Sequence, residues 1–228
     1  MANEEILTIA QLRMLHEQKK FKQEISRQPP ANFRTNPPPV TIPRRFLLKS
    51  EKSAWVEVAL FVAILADGIA TEPWVAGQTR FDSPKYRFPE CAYNSHGKIT
   101  AFNGPFEWMG SYAIQVLYAP GVRANELSCY GRGTTDEDIA NGNTTLGFHE
   151  NCHQLDYLEY LETTRLPVLP ELYPGMHVDE YQKEQQRFAH QYRVFHEGME
   201  QFSEYRTDEV GYRQSHWKAT GRCFEWFS

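Results

Sequence analysis

The sequence lacks the features that mark membrane-spanning, nucleic-acid-binding and Sec-exported proteins. Its longest apolar run, residues 54–66, contains Glu57 and is shorter than the roughly 20 residues that cross a bilayer, which predicts a buried helix and no stable membrane insertion. The net charge is -5 and Lys and Arg do not cluster, which makes nucleic acid an unsuitable partner. Residues 1–5 lack the start of a secretory signal, so we expect a signal-peptide-independent route.

Cysteine is also scarce. The four cysteines of the 228 residues form no C-x-x-C pair, which excludes a zinc ribbon. One disulfide could form among Cys91, Cys129 and Cys223, and the spacing does not identify it. Cys152 is a poor candidate because its predicted helix should turn it towards the core.

The chain divides by composition into an N-terminal appendage, residues 1–43, and a main domain, residues 44–228. Apolar residues at helical spacing predict an amphipathic helix over residues 4–25. Residues 28–43 contain six prolines and predict an extended connector. We therefore expect an adaptor or strap followed by one domain of residues 44–228.

The main domain is predicted to be α+β and mostly helical. Residues 53–70 are expected to be the first core helix, and residues 73–89 a loop. Strands are expected at residues 98–102 and 111–118, as either a structural hairpin or a substrate-binding sheet edge. A helix over residues 141–164, a proline-rich loop over 166–174 and a long helix over 179–212 complete the expectation.

The most informative stretch is His149-Glu150-Asn151-Cys152-His153, which matches H-E-x-x-H. On a helix, histidines at i and i+4 share one face, so His149 and His153 can bind one zinc ion. Glu150 lies at the edge of that face, where its carboxylate can act as general base towards water. With 8 histidines in the chain, chance would produce the pattern only about 0.03 times.

A catalytic zinc ion generally takes three protein ligands. The extension H-x-x-G-x-x-H is absent here, because Asp156 stands in place of the glycine and Glu159 in place of the third histidine. The third ligand is therefore expected on the long helix, at Glu197 or Glu204.

Each glutamate has an argument in its favour, and two turns of helix keep them from sharing one ion. Glu204 begins Glu204-Tyr-Arg-Thr-Asp208, an E-x-x-x-D pattern whose aspartate would support a ligating histidine. Glu197 precedes Gly198, whose cost inside a helix would be explained by close approach of two helices around the metal. Both stay candidates.

Stabilisation of an oxyanion requires a hydrogen-bond donor near the metal. Tyr212 and His216, just beyond the long helix, are the favoured candidates by position. The turn-rich stretch of residues 129–136 lacks the spacing of a phosphate loop and is expected at the rim of the cleft.

His149, Glu150 and His153, with a glutamate on a downstream helix, resemble the zincin metallopeptidases of the gluzincin type. The resemblance implies a motif helix under a small β-sheet, Zn2+ as cofactor and a protein or peptide substrate. Residues 130–135 followed by 145–153 also resemble the C-terminal metallopeptidase domain of some VgrG spike proteins of type VI secretion. That likeness implies an antibacterial toxin acting in a target cell's periplasm, with secretion-spike and immunity partners, and its short motif-to-ligand spacing favours Glu197.

The expected function is therefore zinc-dependent peptide hydrolysis, with Glu150 as general base. A peptidoglycan amidase could use the same site. A binding module with a structural zinc ion is the third reading, and a closed shell of four protein ligands would support it.

Overall fold

The computed structural model describes residues 44–71 and 76–211. The predicted helix at residues 4–25, the proline-rich connector, Tyr212 and His216 lie outside these ranges. Within the described residues, helix and strand account for 33% each. The mixed α and β content is confirmed, whereas the expectation of a mostly helical domain is wrong.

Eight strands and three α-helices form the described part of the chain. The strands are β1 (Arg44–Lys52), β2 (Val56–Ile64), β3 (Gly68–Ile69), β4 (Gly77–Asp82), β5 (Lys85–Arg87), β6 (Glu90–Tyr93), β7 (Ile99–Asn103) and β8 (Phe106–Tyr118). The helices are α1 (Asp136–Ala140), α2 (Leu146–Thr163) and α3 (Val178–Ser203), and α3 continues into a π-helical turn, Glu204–Asp208. No helix in these ranges is long and apolar enough to cross a membrane.

Strand β8 is the centre of the main sheet. It pairs in parallel with β2 and β3 along one side and antiparallel with β4 and β5 along the other, and β1 pairs antiparallel with β2. Strands β6 and β7 form a separate two-stranded sheet. The predicted strands at residues 98–102 and 111–118 are confirmed, but they belong to different sheets and form no hairpin.

The stretch predicted as the first core helix, residues 53–70, instead contains β2 and β3. In β2, the side chains of Val56, Val58, Leu60 and Val62 are buried at every second position. Partner strands on both sides satisfy its backbone hydrogen bonds and decide between strand and helix, which the apolar run alone leaves ambiguous. Likewise, the predicted loop at residues 73–89 contains β4 and β5.

The predicted motif helix and long helix are confirmed as α2 and α3. Thr145 begins α2, its hydroxyl accepting a hydrogen bond from Phe148 N at 3.2 Å. His177 begins α3 in a capping box with Glu180. Residues 166–174 connect the two helices without helix or strand, as predicted.

The two long helices pack on the sheet and on each other. Tyr157, Leu158 and Leu161 of α2 and Phe195 and Met199 of α3 join a core cluster with buried residues of β2 and β8. Gly198 of α3 lies against α2, where a Cβ atom would stand 2.5 Å from the hydroxyl of Tyr160. The close approach expected at this glycine is present, and its cause is the Tyr160 side chain rather than a shared metal.

Phe188 anchors α3 to the sheet, and its loss should weaken the whole domain. It is fully buried, and its ring centroid lies 4.9–6.1 Å from those of Tyr86, Phe88, Phe106 and Trp108. We expect Phe188→Ala to lower the free energy of unfolding by about 3–5 kcal/mol in urea titrations. Val194→Ala, at an exposed position of the same helix, should change it by less than about 0.5 kcal/mol. Equal effects of the two substitutions would contradict this packing.

Candidate metal centre

The two motif histidines meet a carboxylate from the end of the long helix. His149 Nε2 lies 3.2 Å and His153 Nε2 lies 3.1 Å from Asp208 Oδ1, and the two nitrogens are 3.3 Å apart. These three side chains form a group that could hold a metal ion. Ligands of a tetrahedral ion bound at 2.0–2.1 Å stand about 3.3 Å apart. The donor spacing therefore fits zinc without rearrangement of the side chains.

The other nitrogen of each imidazole is engaged with protein. His149 Nδ1 lies 3.0 Å from the carbonyl oxygen of Arg132, to which it donates. His153 Nδ1 lies 2.8 Å from the hydroxyl of the buried Ser203. Such outer contacts fix the tautomer and the ring orientation of metal-binding histidines. They leave both Nε2 atoms directed towards Asp208.

His149 and Asp208 shift each other's pKa in opposite directions. Burial acts to raise the pKa of Asp208, but hydrogen bonds from His149 and His153 prevail and lower it. Burial acts to lower the pKa of His149, whereas its hydrogen bond to Asp208 raises it, with a net increase. A divalent cation between the three groups would attract the Asp208 carboxylate and both imidazoles by the same kind of electrostatic force.

Asp208 reaches the histidines because the end of α3 changes its helical pitch. Glu209 N donates to Glu204 O at 3.1 Å, which is a bond across five residues. In a regular α-helix, residues five apart point about 140° away from each other. The π-helical turn brings Ser203 and Asp208 to the same side, where both contact His153.

The predicted third ligands, Glu197 and Glu204, do not belong to this group. The Glu197 carboxylate pairs with Arg193 at 3.4 Å and is half exposed. Glu204 is exposed at the first position of the π-helical turn. The sequence assigned Asp208 only a supporting role, because α-helical spacing conceals the change of pitch. The neighbouring E-x-x-x-D pattern was the one signal that pointed to it.

Glu150 is buried beside the histidines, between α2 and β4. The Thr79 hydroxyl lies 2.8 Å from both Glu150 Oε2 and Glu150 O. A Cβ atom on Gly77 would stand 2.6 Å from Glu150 Oε1, so only glycine leaves room for this carboxylate. Burial raises the pKa of Glu150 above its usual range, against the opposing charges of His149 and His153. Sequence reasoning missed Gly77 and Thr79, because their stretch read as a loop.

The turn-rich stretch expected at the rim lies directly against the site. Arg132 N donates to Thr207 O at 2.7 Å, and a Cβ atom on Gly131 would collide with that same carbonyl oxygen. The Arg132 guanidinium binds the buried Asp138 through two hydrogen bonds of 2.8 and 2.9 Å. This loop therefore fixes the backbone beside Asp208 and the carbonyl that orients His149.

The remaining candidate residues are the two expected oxyanion donors and the cysteines. Tyr212 and His216 fall outside the described residues, so their role as oxyanion donors stays a prediction. Cys129 is disulfide-bonded, whereas Cys91 is a free cysteine. Cys152 is buried, as its place on the core side of the motif helix predicted.

Comparison of the chain with family models, curated proteins and solved structures finds no significant match. The geometry and chemistry of the site therefore carry the functional argument.

Gly131 provides a test of how the loop shapes the site. Gly131 and Gly142 both have positive φ angles, +62° and +71°, but only Gly142 has open space at its Cβ position. Gly142→Ala should cost about 1–2 kcal/mol of backbone strain and leave zinc affinity unchanged. Gly131→Ala should destabilise the protein further and weaken zinc binding, since Thr207 and Asp208 must move. Urea titration measures the change in stability and zinc titration measures the change in affinity. Equal zinc affinities of the two variants would contradict the role of this loop in positioning Asp208.

Proposed function

We propose that this protein is a zinc-dependent peptidase in which His149, His153 and Asp208 hold the metal. One observation carries the proposal: three donor atoms lie 3.1–3.3 Å apart, and the buried Glu150 directly follows the first of these ligands, His149, in the sequence. Two imidazole nitrogens disfavour calcium and magnesium, which take oxygen ligands. Two nitrogens and one carboxylate oxygen are a common ligand set of catalytic zinc, with the fourth position left to water or substrate.

Zinc in such a site acidifies a water molecule and polarises the scissile carbonyl group. Glu150 is the general base, which takes a proton from water and delivers it to the leaving amine. Its raised pKa supports both steps, because a group that titrates closer to neutrality accepts and releases a proton more readily. Thr79 restrains the Glu150 carboxylate through its hydroxyl group.

The substrate is a protein or peptide in an extended conformation. Strand β4 borders Glu150 and pairs only with β8 within residues 44–71 and 76–211. On this strand Thr79 O accepts a hydrogen bond of 3.4 Å from the Tyr157 hydroxyl, and the other backbone groups that face away from β8 could bind a peptide by strand addition. Residues 111–118, expected as either part of a structural hairpin or a substrate-binding edge, are instead in the interior of the sheet. The edge next to the motif helix is β4.

The biological role remains the one implied by the resemblance to VgrG-borne metallopeptidases. In that role the protein is an antibacterial effector, acts in the periplasm of a target cell, and has secretion-spike and immunity partners. Peptidoglycan amide hydrolysis is the alternative reaction at the same site. A binding module with structural zinc is the third candidate, and the buried Glu150 beside the donors argues against it, because a structural site needs no general base.

The identity of the third ligand can be tested by substitution. We expect Asp208→Ala to weaken zinc binding at least about 100-fold, because it removes a ligand. Glu197→Ala and Glu204→Ala, on the same helix and its π-helical turn, should bind zinc like the wild type. Competition with a chromogenic chelator gives the three affinities. If either glutamate variant lost zinc binding while Asp208→Ala kept it, that glutamate would be the third ligand, as the sequence analysis expected.

Glu150→Gln separates metal binding from catalysis. The variant should keep zinc and lose about 100- to 10,000-fold of its hydrolytic rate, because the general base is gone. Fluorescent casein and purified peptidoglycan are the two substrates to compare, and hydrolysis of peptidoglycan alone would favour the amidase. Expression in the periplasm of a test bacterium should be toxic for the wild type only. Full activity of Glu150→Gln with zinc bound would refute the mechanism.

A further inference from the structure

The motif helix continues beyond its histidines with two acidic side chains that face the π-helical turn. Asp156 and Glu159 follow His153 by three and six residues, so they lie within the next two turns of α2. Within the described residues they are not part of the metal-binding group. Their contacts are instead with the two residues that precede the third ligand.

Asp156 holds both of these residues. Its Oδ2 atom accepts a hydrogen bond of 2.8 Å from the Thr207 hydroxyl, and its Oδ1 atom pairs with Arg206 Nε at 3.2 Å. Thr207 is fully buried and the Asp156 side chain is 8% exposed. A buried carboxylate with two partners of fixed geometry is a strong positional restraint, because leaving it unpaired would be costly.

Glu159 adds a second, weaker contact. It pairs with Arg206 Nη1 at 3.0 Å, and both side chains are about 40% exposed. The Arg206 guanidinium also stacks over the Phe202 ring at 4.7 Å. Solvent screening limits an exposed ion pair to at most about 1 kcal/mol, so Asp156 and Thr207 dominate the restraint.

The restraint acts on backbone that helical hydrogen bonds alone hold poorly. A π-helical turn is less favourable than α-helix and needs tertiary contacts to persist. Thr207 is held from two sides, through its hydroxyl by Asp156 and through its carbonyl by Arg132 N at 2.7 Å. Asp208 is the next residue, so the restraint on Thr207 fixes the backbone position from which the Asp208 side chain reaches the histidines.

We propose that Asp156, acting through Thr207 and supported by the Glu159–Arg206 pair, is a positioning residue for the third metal ligand. The inference rests on the proposed metal site and deepens it. Asp156 and Glu159 stand where the H-x-x-G-x-x-H extension would have glycine and histidine. Here they hold in place Asp208, a ligand that is distant in the sequence. They set the metal affinity without touching the metal.

The test compares the zinc affinities of the wild type and its variants by chelator competition, with folding checked by circular dichroism. Thr207→Val removes the hydroxyl at nearly constant volume and should weaken zinc binding about 10- to 100-fold. Thr207→Ser keeps the hydroxyl and should stay within about 3-fold of the wild type. If Thr207 had a purely structural role, Thr207→Val would unfold at a lower temperature than the wild type but bind zinc with equal affinity. That result would overturn the inference.

A second pair of variants decides the question if Thr207→Val does not fold. Arg206→Gln and Arg193→Gln each break an arginine–glutamate pair, but only Arg206 also contacts Asp156. Arg206→Gln should weaken zinc binding several-fold and Arg193→Gln should not. Equal affinities in this pair would again overturn the inference. Failure of the wild type to bind zinc would instead refute the proposed function.

Discussion

Three donor atoms from two helices converge to within 3.3 Å of one another, and the rest of the site depends on this convergence. Two imidazoles and a carboxylate are drawn together where His149 is almost completely shielded from water. Such an arrangement is unfavourable unless protons or a cation neutralise it. The surroundings serve to maintain it: a carbonyl and a hydroxyl orient the rings, and a glycine-containing loop fixes the backbone beside Asp208.

The fold supplies the convergence through the antiparallel register of α2 and α3. Tyr160 meets Gly198, His153 meets Ser203 and His149 meets Asp208, so the contacts run in opposite directions along the two segments. Packing of both helices on β2 and β8 holds that register. The same sheet delivers β4 to the other flank of the motif helix, where it encloses Glu150. Glu150, the proposed general base, and the three proposed metal ligands thus lie side by side at the first turns of α2.

Local features of this molecule could be predicted from the sequence, and features decided by tertiary contact could not. The motif helix follows from the helical spacing of its apolar residues, and the shared face of its two histidines follows from their i, i+4 spacing. Residues 53–70 form strands because neighbouring strands pair with them, which no single segment reveals. Asp208 was expected only to support a ligating histidine. Its contact with both histidines could not be predicted for the same reason, because the π-helical turn that carries it is held by contacts with Asp156 and Arg132.

The central claim is that His149, His153 and Asp208 hold a catalytic zinc ion. Anomalous diffraction at the zinc edge, from crystals of the protein grown with zinc, tests it most directly. We expect one strong peak bonded to both Nε2 atoms and to Asp208 Oδ1 at about 2.0–2.2 Å, with the remaining position taken by water. A peak ligated by Glu197 or Glu204, a shell closed by four protein ligands, or no peak near the histidines would contradict the claim.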